Sequence, residues 1–177
     1  MYFIYAFLKN YVCSRIFIIF VQTLTTMETP QKTSAELFAA QALASQVRKE
    51  LTDNILPYWM QKMTTPEGGF YGRIDGNEQL DPSAPIGNIM TARMLWTFAS
   101  AYRLLGNKEY LDMAQKAKEF IISRFYDHEL GGTYWSLSSD GSPLDTKTQT
   151  YAIAFTIYGP AARNRATGDR QALEADI

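Results

Sequence analysis

Gly68-Gly69-Phe70-Tyr71-Gly72 returns as Gly131-Gly132-Thr133-Tyr134-Trp135, a step of 63 residues from Gly68 to Gly131. A second pair keeps nearly the same step. Leu105-Gly106-Asn107-Lys108 resembles Thr167-Gly168-Asp169-Arg170, with 62 residues from Gly106 to Gly168. Self-similarity at a fixed period on this scale marks a repeat architecture, in which each unit buries its apolar face against its neighbours.

The segments between the glycine pairs are helical in pattern. Thr33 with Glu36 has the form of a capping box. Leu37, Ala40, Ala44, Val47, Leu51 and Ile55 then follow helical spacing, the stripe of an amphipathic helix ending near Pro57. A connection rich in Gly, Pro and Asp runs from Thr64 to Pro85, with turn signals at Gly68-Gly69, Asp75-Gly76 and Asp81-Pro82. From Ile86 to Leu105 the apolar residues surround the predicted helix, which reads as buried. Lys108 to Phe125 is one-sided, with Tyr110, Ala114, Ala117 and Ile121 inward. After a loop from His128 to Asp145, residues Thr146 to Ala166 are again heavily apolar, and a further outer-type helix opens at Asp169.

The order outer, inner, outer, inner, outer predicts an all-α fold of two helical layers, either an α/α toroid or an α-solenoid. Six hairpins of this size would need roughly 370 residues to close a ring. The 177 residues hold about two and a half, so residues 27–177 are expected to be the opening part of such a ring.

Composition narrows the function classes. The chain is 46% hydrophobic and 20% charged, with net charge −1. That balance gives no electrostatic footprint for nucleic acid or an anionic membrane. Residues 1–26 read differently from the rest: two short apolar runs, Tyr2 to Leu8 and Ile16 to Val21, are broken by Lys9, Asn10 and Arg15. Neither run reaches the ~18–20 apolar residues of a membrane span, and no small-residue cleavage site follows. The tract is expected to be extra sequence outside the fold, ahead of Met27, with a signal or anchor as the alternative. The single cysteine, Cys13, lies in it, which leaves residues 27–177 without disulfides or cysteine-ligated metal and favours the cytoplasm.

Among residues that could carry chemistry, Arg93 is the sharpest. It shares a narrow face of the inner helix with Ile86, Ile89, Thr97 and Ser100. A desolvated, unpaired charge is expensive, so the guanidinium either pairs with a carboxylate or faces a wet polar cavity where its planar fork binds ligand oxygens. Tyr151, one turn into the next inner helix, either packs in the core or turns its hydroxyl to the cavity. Trp135 either packs across helix ends or stacks on a sugar ring. Asp75, Asp81, Asp127, Asp140 and Asp145 lie in loops, where Asp-Gly pairs are turn formers first. His128, the only histidine, is expected to be solvated. No cluster has metal-ligand or phosphate-loop spacing.

Several stretches together resemble the N-terminal part of the cellobiose 2-epimerases, within the N-acylglucosamine 2-epimerase superfamily. They are Ile55-Leu56-Pro57-Tyr58-Trp59, Gly68 to Asp75, Ala92-Arg93-Met94-Leu95-Trp96-Thr97-Phe98, Gly131 to Trp135, and Lys147 through Tyr158. The likeness runs from about Ser45 to Ala175. It implies an (α/α)6 barrel that interconverts glucose and mannose at the reducing end of β-1,4-linked disaccharides such as cellobiose, lactose or mannobiose, with no metal or nicotinamide. It also implies substrate contacts from Arg93, Tyr151 and Trp135, and acid/base histidines beyond Ile177, so that these 177 residues alone would be inactive. Gly159-Pro160 departs from the family's Ala-Leu, and Pro160 is expected to kink or break its helix. Another epimerase or aldose–ketose isomerase of the superfamily, and a non-catalytic carbohydrate-binding protein, are the alternatives.

Overall fold

A computed structural model describes residues 33–168. They fall into two compact units, one ending at Leu56 and one beginning at Pro57. The tract 1–26 and the helix expected from Asp169 lie outside the described residues.

In the first unit, α1 (Ser34–Glu50) opens on the expected capping box. The Thr33 N–H donates to Glu36 Oε2 at 2.8 Å, and the Glu36 N–H returns to Thr33 Oγ1 at 3.4 Å. No residue of α1 is buried, so the Leu37-to-Val47 stripe does not form a closed core within the unit. A π-type turn (Leu51–Ile55) leads directly into α2 (Leu56–Lys62). Pro57 therefore does not end the helix, contrary to expectation. It stands at the second residue of α2, directly after the π-type turn, whose wider hydrogen-bond spacing tolerates the missing N–H.

The second unit carries the repeat. Tyr71 N–H donates to Met63 O at 2.8 Å, and Tyr134 N–H to Phe125 O at 2.9 Å. Thr65 N–H meets Gly69 O at 3.0 Å, and Asp127 N–H meets Gly132 O at 3.0 Å. Further on, Asp75 N–H bonds Gln79 O and Ser138 N–H bonds Ser142 O. The two glycine-rich loops are thus the same backbone structure met twice. Each feeds an 18-residue helix: α3 (Asn88–Leu105) and, in the second copy, α5 (Thr150–Thr167). Both helices end on a left-handed glycine, Gly106 (φ 74°) and Gly168 (φ 74°), the conformation that closes a helix at least cost.

Short strands line these loops, which corrects the all-α expectation. β1 (Arg73–Ile74) and β2 (Leu80–Asp81) form one antiparallel hairpin. β3 (Ile86–Gly87), β4 (Ser136–Leu137) and β5 (Pro143–Asp145) form a three-stranded antiparallel sheet in that order, pairing Ile86 with Leu137 and Leu137 with Pro143. The inner helix accordingly begins at Asn88, not Ile86, and the next begins at Thr150, not Thr146.

Between the two inner helices in sequence runs α4 (Lys108–Phe120), capped by the Asn107 side chain and extended by a second π-type turn (Ile121–Phe125). Helix α3 packs along both α4 and α5, which is why half of its residues are buried, Ala92, Leu95, Phe98 and Ala99 among them. The core stacks Phe70 on Phe98 (6.2 Å, 5°), tilts Phe98 on Tyr110 (6.4 Å) and sets Phe120 edge-on to Phe125 (6.0 Å).

Helix α5 departs from expectation twice. It is not buried all round: Ala152, Gly159 and Ala162 are buried, while Tyr151, Ile157 and Tyr158 are exposed. Small residues form the contact and let the axes come close. A Cβ on Gly159 would lie 2.9 Å from Leu95 Cδ2 and 3.0 Å from Ala92 O. Pro160 does not break the helix, which stays continuous to Thr167. The proline deletes one amide, that facing the Thr156 carbonyl, and the remaining ladder carries the helix through. No helix among the described residues is long and apolar enough to cross a membrane.

Candidate functional site

Arg93 lies in the second turn of α3 and is half-buried. Its guanidinium sits over the Phe155 ring of α5, with Cζ 5.4 Å from the centroid. Such a cation–π contact contributes about 0.5–2 kcal/mol, increasing as the pair is desolvated. Among the described residues the ion pairs are Lys62–Glu78 and Arg73–Asp81, neither involving Arg93. The carboxylate alternative for Arg93 therefore finds no partner there.

Among the described residues Tyr151 is 58% exposed. Its ring meets Phe155 edge-on at 4.9 Å and 67°. Phe155 in turn meets Tyr158 edge-on at 6.4 Å, and Tyr158 stacks on Trp96 of α3 at 5.6 Å and 16°. Residues 151, 155 and 158 share one helix face, as do 93 and 96 on the facing helix. The result is an aromatic row along α5 with Arg93 and Tyr151 flanking the same ring. Partial burial pushes the Tyr158 phenol above its ordinary pKa, with Arg165 opposing the shift.

Trp135 joins this region through its backbone. Its N–H donates to Asp145 O at 2.9 Å, and its carbonyl accepts from the Asn88 N–H at 3.1 Å. Asn88, fully buried at the first residue of α3, was not singled out in the sequence. Nor were Phe155 and Tyr158 as ring partners, although their spacing from Tyr151 was there to be read.

The loop carboxylates are committed to their own turns. Asp75 Oδ1 accepts from the Asn77 and Gln79 amides, Asp127 Oδ1 from Glu129 and Leu130, and Asp145 Oδ1 from Lys147. Asp81 Oδ1 and Asp140 Oδ1 accept from both amide and hydroxyl of Ser83 and Ser142, whose hydrogen bonds hold these carboxyls below their ordinary pKa. Groups held ionised in this way are poor proton donors near neutrality. His128 is exposed, lies edge-on to Tyr126 at 5.0 Å, and places Nε2 3.2 Å from Ile122 O, a contact in which that nitrogen must be the donor. Among the described residues no group of three or more His, Cys, Asp or Glu is placed to hold a metal ion.

Comparison with known proteins places the chain in context. The family model for N-acylglucosamine 2-epimerase (GlcNAc 2-epimerase) matches residues 69–176. A cellobiose 2-epimerase of Bacteroides fragilis is 58% identical over 132 residues, covering 74% of this chain and 34% of the relative. One from Ruminococcus albus is 44% identical over 131 residues, again covering 74% of this chain and 34% of the relative. The solved cellobiose 2-epimerase of Spirochaeta thermophila superposes with a TM-score of 0.72 at 38% identity, covering 83% of this chain and 36% of that one. The 177 residues thus correspond to only part of the length of these proteins. With the repeat, the paired inner helices and a family match over most of its length, the chain belongs to the N-acylglucosamine 2-epimerase family.

Proposed function

We propose that this chain supplies the first hairpins of an (α/α)6 barrel that epimerises a reducing-end sugar at C2, acting on a β-1,4-linked disaccharide of the cellobiose, lactose or mannobiose type. The observation that carries the reading is the pairing of Arg93 and exposed Tyr151 across Phe155, in a family whose cellobiose-named members are the most similar relatives reported above.

The chemistry sets the demands. Ring opening gives a C1 aldehyde that acidifies the C2 proton. A base takes that proton, electron density moves onto O1 as an enediolate, and an acid returns a proton to the opposite face of C2. Arg93 is proposed to face the sugar and stabilise the negative oxygen with its planar fork. Tyr151 would hydrogen-bond a sugar hydroxyl and Trp135 would stack on a ring. Groups on both faces of C2 are needed, and imidazoles suit them because their pKa lies near neutrality. His128 is exposed and bonded to the Ile122 carbonyl of the second π-type turn, so the acid and base are proposed to come from outside these 177 residues. The chain alone is then inactive. A cytoplasmic site of action accords with a single cysteine, at position 13.

The test is a graft. The 132 matched residues of this chain replace their counterpart in the Bacteroides fragilis cellobiose 2-epimerase. Cellobiose, mannose and N-acetylglucosamine are then assayed side by side. Glucosyl-mannose formation from cellobiose, reduced about 10²–10³-fold in kcat/KM by Arg93→Ala, supports the reading. Preference for a monosaccharide would move the substrate class, and an active graft indifferent to Arg93→Ala would remove Arg93 from the site.

A further inference from the structure

Among the described residues Asn88 is a fully buried side-chain amide on α3 that bonds both the Tyr134–Trp135 segment and α5. Its Nδ2 donates to Tyr134 O at 3.1 Å, and its own backbone N–H donates to Trp135 O at 3.1 Å. Its Oδ1 lies 3.3 Å from the Thr156 hydroxyl, which also lies 3.0 Å from Ala152 O and divides its single proton between the two acceptors. The amide orientation follows from the Tyr134 carbonyl: a flipped side chain would set two carbonyl oxygens together, and the Thr156 hydroxyl would keep Ala152 O as its one acceptor. Thr156 directly follows Phe155, the ring beneath Arg93.

We propose that Asn88 is the positioning residue of this site. Its side chain locks the Tyr134–Trp135 segment to α3 and α5 and so fixes Trp135 relative to Arg93 and Tyr151. The proposal rests on the reading of those three residues as a sugar-binding face. It adds the element that holds them in one arrangement. A buried amide suits this task because each bond has a direction. An apolar residue of the same volume would fill the space yet leave the loop free to slide along the helix ends. The neighbouring strand pair, Gly87 with Ser136 and Ile86 with Leu137, is only two residues long, so the side-chain bonds carry much of the register.

The graft described above is labelled with 5-fluorotryptophan, and Trp→Phe variants assign the resonances of Trp59, Trp96 and Trp135. Asn88→Asp keeps the shape and the acceptor for Thr156 but turns an oxygen toward the Tyr134 carbonyl. The expected result is a shifted or split Trp135 resonance, an unchanged Trp59 resonance, unchanged helical circular dichroism, and a roughly tenfold higher half-saturating cellobiose concentration. Should Asn88→Asp lose its helical signal, the isosteric Thr156→Val decides, with the same displacement in smaller measure and Thr156→Ser restoring the wild-type spectrum. A Trp135 resonance identical to wild type in the folded variants overturns the proposal. A wild-type Trp135 signal indifferent to cellobiose overturns the sugar reading instead, while the Asn88→Asp spectrum still decides whether the amide holds the loop.

Discussion

Glu78 and Gly141 occupy the same place one repeat apart, both in the left-handed region, at φ 61° and 82°. The Glu78 N–H bonds Asp75 O and the Gly141 N–H bonds Ser138 O, so the turn geometry is shared while the residue is not. A side chain at positive φ costs about 1–2 kcal/mol, which glycine escapes. Glu78 recovers a small part of this through its 2.5 Å pair with Lys62, which is exposed and therefore screened by solvent.

That equivalence makes an asymmetric prediction. Gly141→Ala lowers stability by about 1 kcal/mol, whereas Glu78→Gly stays within about 1 kcal/mol of wild type, because strain and ion pair leave together. Urea midpoints at constant slope measure both. A neutral Gly141→Ala would show that the two turns are not alike.

Gly72 is predicted to be the least replaceable glycine of the loops. A Cβ there would collide with the Pro85 carbonyl, a backbone atom with no rotamer to change. Gly72→Ala is expected to cost about 3 kcal/mol, the upper end of the ~1–3 kcal/mol typical of overpacking. Gly87, with nothing within 4 Å of its virtual Cβ and φ −92°, is the control, and Gly87→Ala should cost about 1 kcal/mol or less. Thermal melts of both variants separate these outcomes.

Phe98 carries the core. It is fully buried, stacked on Phe70 and tilted against Tyr110, so Phe98→Ala should cost about 3–5 kcal/mol. Ile157, exposed on α5, should tolerate Ile157→Ser within about 0.5 kcal/mol. Equal losses from the two substitutions would contradict the packing of α3 against its neighbours.

Acid should act on the twin Asp-x-Ser turns. The folded-state pKa of Asp81 and Asp140 is lowered, chiefly by the Ser83 and Ser142 hydrogen bonds. A lowered carboxyl pKa contributes stability that is present above the unfolded value, 3.8, and lost as pH falls through the folded one. Ser83→Ala and Ser142→Ala should therefore flatten the acid limb of the stability curve below about pH 4 and move stability at pH 7 more than at pH 2. Denaturation series at the two pH values check the sign.

Much of the fold was legible because its signals are local and periodic. The doubled glycine loops, the Thr33–Glu36 box, the one-sided α4 and the buried α3 each follow from spacing alone. The strands were not legible: two- and three-residue strands are too short to produce an alternating pattern. Pro57 and Pro160 misled because a π-type turn and a surviving helical ladder absorb what proline removes, and neither device has a sequence signature. At the site, Arg93 stood out because a charge on a helix with apolar residues nearly all round it is conspicuous. Asn88 did not, since a buried amide looks like any polar residue until its two side-chain partners, 46 and 68 positions away in sequence, are brought together.

The central claim is proton abstraction at C2 of a reducing-end sugar on a barrel that includes this chain. The most direct measurement is proton NMR of cellobiose incubated in heavy water with the grafted enzyme. The account predicts deuterium at C2 of the reducing-end residue, appearing together with glucosyl-mannose and suppressed by Arg93→Ala. Epimer formed with its original C2 hydrogen retained, or release of free glucose in place of epimer, would contradict it.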